Sequence, residues 1–175
     1  GSAYVFEKDG NDNWSQVQKI TAIDRSDLAR FGSAVAISGD YIIAGAPFEA
    51  EDDFGQNTMN SAGACYLFER DENGIWLAEQ KIIPNDRDFV DRFGESVAIS
   101  GDYAVIGAPY DEHDVSGGNI LGVAGSVYIF ERIGGLWTEV QKIVASDRTS
   151  EDFFGTSVSI SDDRLVVGAF LQDKD

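Results

Sequence analysis

Residues 31–47 read Phe-Gly-Ser-Ala-Val-Ala-Ile-Ser-Gly-Asp-Tyr-Ile-Ile-Ala-Gly-Ala-Pro, and this stretch carries the fold. Val35 and Ile37 alternate with Ala34 and Ala36, the period-2 pattern of a strand with one large face and one small face. The pattern predicts a strand buried on both sides, with a close neighbouring layer on its small face. Gly39-Asp40 then interrupts, as a two-residue hairpin turn with glycine at a positive-φ position requires. Residues 41–44 are almost wholly apolar and predict a central strand. Pro47 lacks an N–H for the ladder and closes it.

The stretch recurs. Phe93-Gly94 follows Phe31-Gly32 by 62 residues, and Phe154-Gly155 follows by 61 more. Gly45-Ala46-Pro47 returns as Gly107-Ala108-Pro109 and, with proline replaced, as Gly168-Ala169-Phe170. The large/small alternation returns at Val97 and Ile99, then at Val158 and Ile160. The third turn is Asp162-Asp163, a weaker signal. Residues 103–106 and 164–167 take the place of the central strand.

The beat continues outside this stretch. Connections of about fifteen residues follow at 48–62 and 110–124, long for a compact domain. Gly1 to Glu7 is echoed by Gly63 to Glu69 and Gly125 to Glu131, with aromatics two apart on one strand face: Tyr4 and Phe6, Tyr66 and Phe68, Tyr128 and Phe130. A more polar strand begins at Trp14, Trp76 and Trp137 and ends each time in Gln-Lys-Ile; its polarity places it at an outer edge. Recurring tryptophans predict packing rather than sugar stacking.

Four antiparallel strands per unit, graded from apolar to polar, describe the blade of a β-propeller. The expected architecture is all-β, built of four-stranded antiparallel blades, about three blades' worth in the chain. A single repeat domain spans 1–175, with repeats of about 1–62, 63–124 and 125–175. Strands are permuted against the repeats: a third-and-fourth-strand pair, two whole blades, then a first-and-second-strand pair. Three blades do not close a ring, which takes roughly four to eight. Either two copies join head to tail into six blades, or the chain is a piece of a longer propeller.

At the Phe-Gly and Gly-Ala-Pro motifs the chain resembles the FG-GAP repeat family, whose repeats build the integrin α-subunit propeller and many bacterial surface proteins. The resemblance covers essentially the whole chain. It implies a β-propeller, an extracellular or cell-surface location, and a non-enzymatic role in binding or adhesion to a protein or glycan. Its structural motif falls on Phe31, Gly32, Gly45, Ala46, Pro47, Phe93, Gly94, Gly107, Ala108, Pro109, Phe154, Gly155, Gly168 and Ala169. Integrin-type repeats often carry a calcium loop between the two motifs. Here that place is a two-residue turn, which cannot supply the six or more oxygens that calcium takes. The chain therefore resembles the branch lacking the calcium loop, and no cofactor is expected.

Charge excludes some partners. Thirteen Lys and Arg against 31 Asp and Glu give a net charge of −18. Such a surface repels phosphate backbones and anionic lipid, so nucleic acid is not an expected partner. No run is long and apolar enough to insert into a membrane. The lone cysteine, Cys65, sits in an apolar run and predicts a buried thiol.

Candidate site residues lie in the two long connections: Glu49, Glu51, Asp52 and Asp53 in one, Asp111, Glu112 and Asp114 in the other. Both connections follow equivalent strands and should leave the same face. Clustered carboxylates there suit a basic partner or a divalent cation, with Asp111 and Asp114 as metal candidates. His113, the one histidine, has no recognisable nucleophile beside it, and no catalytic residue is assigned. An enzymatic alternative, a polysaccharide hydrolase or lyase, would need two of these acids in a pocket with separated pKa values. A third reading is a structural spacer in a larger surface protein. The repeated Asp24-Arg25, Asp86-Arg87 and Asp147-Arg148 predict caps and bridges between units.

Overall fold

The computed structural model describes residues 1–52 and 54–172, and among them there is no helix. Twelve strands form four antiparallel sheets. β1 (Ala3–Lys8) pairs with β2 (Trp14–Ile20). β3 (Val35–Ser38), β4 (Tyr41–Ala46), β5 (Ala64–Arg70) and β6 (Trp76–Ile82) form a four-stranded sheet in sequence order. β7 (Ser96–Ser100), β8 (Tyr103–Ala108), β9 (Ser126–Ile133) and β10 (Leu136–Ile143) repeat it, and β11 (Ser157–Ser161) pairs with β12 (Arg164–Gly168). The polar strands β6 and β10 are edges, as their composition predicts.

The local rules hold at the turns. Ser38 pairs with Tyr41 across Gly39-Asp40, and Gly39 takes φ +55°. Asp162 takes the same role with φ +51°, a conformation that Asp tolerates better than most residues. β4 and β8 run through the Gly-Ala before proline ends them, two residues beyond the apolar run. A bulge recurs in β1–β2, β5–β6 and β9–β10, with no signal in the composition.

The two glycine motifs meet twice. Within a sheet, the Gly94 N–H donates to the Gly107 carbonyl (3.0 Å), and Gly32 and Gly155 do the same to Gly45 and Gly168. Between sheets, Gly45 lies so close to Gly94 that a Cβ on it would sit 2.0 Å from the Gly94 oxygen; Gly107 stands in the same relation to Gly155. The backbone of one sheet thus touches the backbone of the next, and no side chain fits between.

Burial follows from this stacking. Val5 and Ile20 of the β1–β2 hairpin pack with Phe31, Ala44, Tyr66, Phe68 and Trp76. Ile43, Leu67 and Ile82 pack with Phe93, Ala104, Ile106, Tyr128, Phe130 and Trp137 of the next sheet. Phe31 and Phe93 each meet two rings of their own sheet edge-on: Tyr66 and Phe68 at 5.4 and 6.0 Å, Tyr128 and Phe130 at 5.5 and 5.9 Å. Cys65 is free and fully buried.

One expectation fails. The first strand of each unit was expected to be covered on both faces, yet Val35 and Ile37 of β3 are more than half exposed. Their small-faced neighbour Ala36 packs toward the second sheet. Among the described residues the large face is left uncovered, because β1–β2 lies over only part of the first sheet and leaves an open groove there. Trp14 departs likewise: Trp76 and Trp137 are buried, while Trp14 is exposed.

The candidate loop face

All strands being antiparallel, the connection after each unit's second strand and that after its fourth leave on the same side. Residues 47–63 and 109–125 therefore share a face with residues 21–34, 83–95 and 144–156. Backbone bonds lace them together: Val90, Arg92 and Phe93 N–H donate to Asn60, Ser61 and Ala62, and Glu151, Phe153 and Phe154 donate to Gly122, Val123 and Ala124. Arg87 donates to the carbonyls of Asn57 (2.9 Å) and Ala50. Arg148 donates to those of Asn119 and Glu112, both at 2.9 Å.

The acidic residues divide sharply. Glu49, Asp52 and Asp111 are buried, not presented to solvent. Tyr128 Oη lies 2.9 Å from Asp86 Oδ1 and 2.8 Å from Asp111 Oδ2, and Lys142 Nζ is 2.6 and 2.7 Å from the same two carboxylates. One unit earlier, Tyr66 Oη lies 2.7 Å from Asp24 and 3.5 Å from Glu49, while Lys81 Nζ is 2.6 Å from Asp24 and 3.8 Å from Glu49. Burial pushes both tyrosine hydroxyls far above their usual range, and the adjoining carboxylates push further. Burial opposes the charge of Lys142, but the hydrogen bonds it donates to Asp111 and Asp86 outweigh it and raise its pKa. Burial also opposes the charge of Asp24, and hydrogen bonds from Lys81 and Tyr66 prevail, lowering its pKa.

Asp52 accepts from Phe54 and Gln56 N–H at 2.9 and 2.7 Å, which holds its pKa down, the Gln56 bond most strongly. Asp114 takes the Ser116 hydroxyl at 2.6 Å and backbone N–H groups of its own turn, and is held at about 2. Asp52, Asp114, Asp111 and Glu49 are all ligand-binding candidates in the sequence. The structure gives them turn-capping and core-bridging partners instead, because a loop pinned to the sheets must satisfy its own backbone donors. The metal candidates Asp111 and Asp114 serve separate local networks, and among the described residues no group of three His, Cys, Asp or Glu is placed to hold a metal ion. Of the remaining candidates, Glu112 is exposed and Glu51 partly so; Asp53 lies outside the described residues. His113 Nδ1 is 3.7 Å from Asp111 Oδ1, and its own N–H donates to that oxygen.

Sequence reasoning missed a row of side chains that joins the units across this face. Arg30 lies 4.0 Å from the centre of the Phe48 ring; Arg92 lies between Phe48 and Tyr110, 4.9 and 3.8 Å from their centres. Phe153 continues the row against Tyr110 and Phe170, both at 5.3 Å. Arg30, Arg92 and Phe153 occupy the place before each Phe-Gly, and all three adopt positive φ. The recurring place was visible in the sequence, but a left-handed Arg or Phe is not what composition suggests. It also missed Asp91, buried and pushed up to about 7 by burial and then by Asp111.

Large apolar side chains on this face meet solvent. Leu28 is 87% exposed, Phe54 79%, Val115 64%, Ile120 61% and Phe89 59%. A repeat of Phe-Gly and Gly-Ala-Pro motifs with a glycine-to-glycine contact between successive sheets has a counterpart among known families. The model described as FG-GAP repeat matches residues 14–68, 76–130 and 137–175. The chain belongs to the FG-GAP repeat family. Each match begins at a strand-four tryptophan, and the first two end at Phe68 and Phe130. Of the FG-GAP motif glycines, Gly45 meets Gly94 and Gly107 meets Gly155 between sheets. No curated protein matches this FG-GAP chain.

Proposed function

We infer that the sheets are blades of an FG-GAP β-propeller and that the chain is a non-enzymatic binding module, acting outside the cell or on its surface. The observation that carries the binding reading is the loop face: five strongly exposed apolar side chains on connections fastened by Arg87, Arg92 and Arg148. A rigid mount with an apolar surface is what protein recognition needs, since little order has to be gained on docking. Exposed apolar area above the ordinary scatter marks an interaction surface. The net charge of −18 favours a partner with basic residues around an apolar centre.

The glycan-cleaving alternative draws less support, because Glu49 and Asp111 are tied to tyrosine and lysine rather than turned toward a sugar. The spacer reading predicts no binding at all. Biolayer interferometry of the immobilised chain against purified surface proteins and against a glycan array separates the three. The expectation is saturable protein binding, weaker in about 500 mM than in about 50 mM salt, and weakened at least tenfold in Phe54→Ser/Phe89→Ser with unchanged circular dichroism. Binding that both substitutions leave intact, turnover of a polysaccharide, or no protein binding would each overturn the reading.

A further inference from the structure

Two places on the loop face are filled differently in each unit. The residue two before each Phe-Gly is Ala29, then Asp91, then Asp152. The residue four after the glycine of each second motif is Glu49, then Asp111, then Gln172. Side chains at these two places meet: Gln172 Nε2 donates to Asp152 Oδ2 at 3.2 Å, and the charge of Asp111 acts on Asp91. The first unit thus sets alanine against acid and the third acid against amide. The middle unit sets acid against acid.

The donors around the two aspartates differ as well. Asp152 accepts from the Thr149 N–H, from the Thr149 hydroxyl at 2.6 Å and from Gln172. Asp91, 3% exposed, accepts from the Asp88 N–H at 2.7 Å. The cation beside it is already shared, since Lys142 Nζ reaches both Asp86 and Asp111 and the Tyr128 hydroxyl lies between the same two carboxylates. A third buried negative charge, on Asp91, would draw on that one lysine.

Position gives the acid pair a hold on the loop face. Residues 83–95 are fastened on one side by Val90, Arg92 and Phe93 N–H to the carbonyls of Asn60, Ser61 and Ala62. On the other side Asp91 meets Asp111 of the following loop. Phe89 and Val90, 59% and 46% exposed, stand just before it. Val90 is β-branched at φ +68°, a strained conformation that lasts only while its surroundings impose it.

We propose that Asp91 and Asp111 form a proton-operated latch on the loop face: a proton held between the two acids keeps residues 88–92 closed against both neighbouring loops, and its loss to water frees the segment that carries Phe89 and Val90. Asp88 faces Asp91 from its own connection, through both its N–H and its charge; Asp111 faces it from the following loop, with His113 3.7 Å beyond; Lys142 faces it from β10. Asn60, Ser61 and Ala62 of the preceding loop bring no titratable group. Burial and then Asp111 outweigh the Asp88 bond and Lys142, so the closed form holds its proton to about pH 7, against about pH 4 for an aspartate open to water. The closed form binds the proton more tightly, so opening gains as pH rises between those values. The opening equilibrium should grow about 80-fold from pH 5 to pH 8. Control of ligand binding by this latch rests on the binding reading above, whereas the opening itself does not.

Amide hydrogen exchange followed by NMR tests the latch with no ligand present, each rate being divided by the intrinsic rate at that pH. Protection at Val90, Arg92 and Phe93 should fall at least about tenfold between pH 5 and pH 8. Glu151, Phe153 and Phe154 make the same bonds to Gly122, Val123 and Ala124 beside the acid–amide pair, and should keep their protection. Asp91→Asn should remove the pH dependence, as should Asp91→Ala, which copies the first unit. His113→Gln should leave it in place. Protection that does not change with pH, an equal loss in both sets of amides, a loss that persists in the two Asp91 variants, or one that vanishes in His113→Gln would overturn the proposal. Amides that behave as expected in a chain that binds no protein would uphold the latch and count against the binding reading.

Discussion

Lys142 and Lys81 occupy one position in successive units, and their geometry predicts unequal energetics. Lys142 Nζ hydrogen-bonds Asp111 at 2.7 Å, whereas Lys81 Nζ stands 3.8 Å from Glu49. Coulomb's law alone separates the two pairs by only about 1.4-fold at equal dielectric. The difference therefore rests on the hydrogen bond, which exists at 2.7 Å and not at 3.8 Å. A charge-assisted bond between buried groups contributes about 1.5 to 3 kcal/mol, and the Lys142 and Asp111 side chains are 8% and 2% exposed. Lys142→Met leaves two carboxylates around one tyrosine proton and should cost about 3 kcal/mol, the low end for breaking a buried pair, because Asp86 retains access to water. A double-mutant cycle of Lys142→Met with Asp111→Asn should give a coupling of about 2 kcal/mol. The cycle of Lys81→Met with Glu49→Gln should give less than about 1 kcal/mol. Urea unfolding followed by tryptophan emission measures both, at one protein concentration because association shifts apparent stability. Couplings equal within about 0.5 kcal/mol, or in reverse order, would refute the claim that hydrogen-bond geometry rather than charge sets these energies.

Three further outcomes follow from the same coordinates. Gly107→Ala places a Cβ 2.0 Å from the Gly155 oxygen and should cost at least about 3 kcal/mol in urea unfolding, whereas Gly39→Ala, with open space around it but φ +55°, should cost about 1 kcal/mol. Asp91 holds its proton to about pH 7 when folded, but to only about pH 4 when unfolded; its contribution therefore falls as pH rises between those values, and Asp91→Asn should flatten the stability profile there and raise stability at pH 7.5 relative to pH 5. Arg92→Ala removes the cation held between Phe48 and Tyr110 and should cost about 1 to 2 kcal/mol, with Arg92→Lys intermediate, read as a lowered melting temperature.

The carboxylates illustrate why a site is harder to read than a fold. In sequence, Glu49 and Asp111 sit in polar loops and look like solvent-facing ligands. Their partners Tyr66, Lys81, Tyr128 and Lys142 lie on other strands 17 to 32 residues away, and Asp24 and Asp86 come from the preceding connection. No local pattern reports such a meeting. The cation–aromatic row across the loop face escaped for the same reason: Arg92 touches Phe48, 44 residues back, and Tyr110, 18 ahead.

The amino-acid order alone determined the period, the four strands of each unit, the hairpin turns and the strand permutation. Each of these depends on neighbours a few residues apart or on repetition, and both can be seen in one dimension. Only the tertiary structure decided which equivalent residues are buried and which lie bare. Tyr4 and Tyr66 occupy the same position of the repeat, but one faces an open groove and the other a covering sheet. Burial is a property of what stands opposite a side chain, and that is fixed by the stacking of whole sheets through contacts such as Gly45 on Gly94.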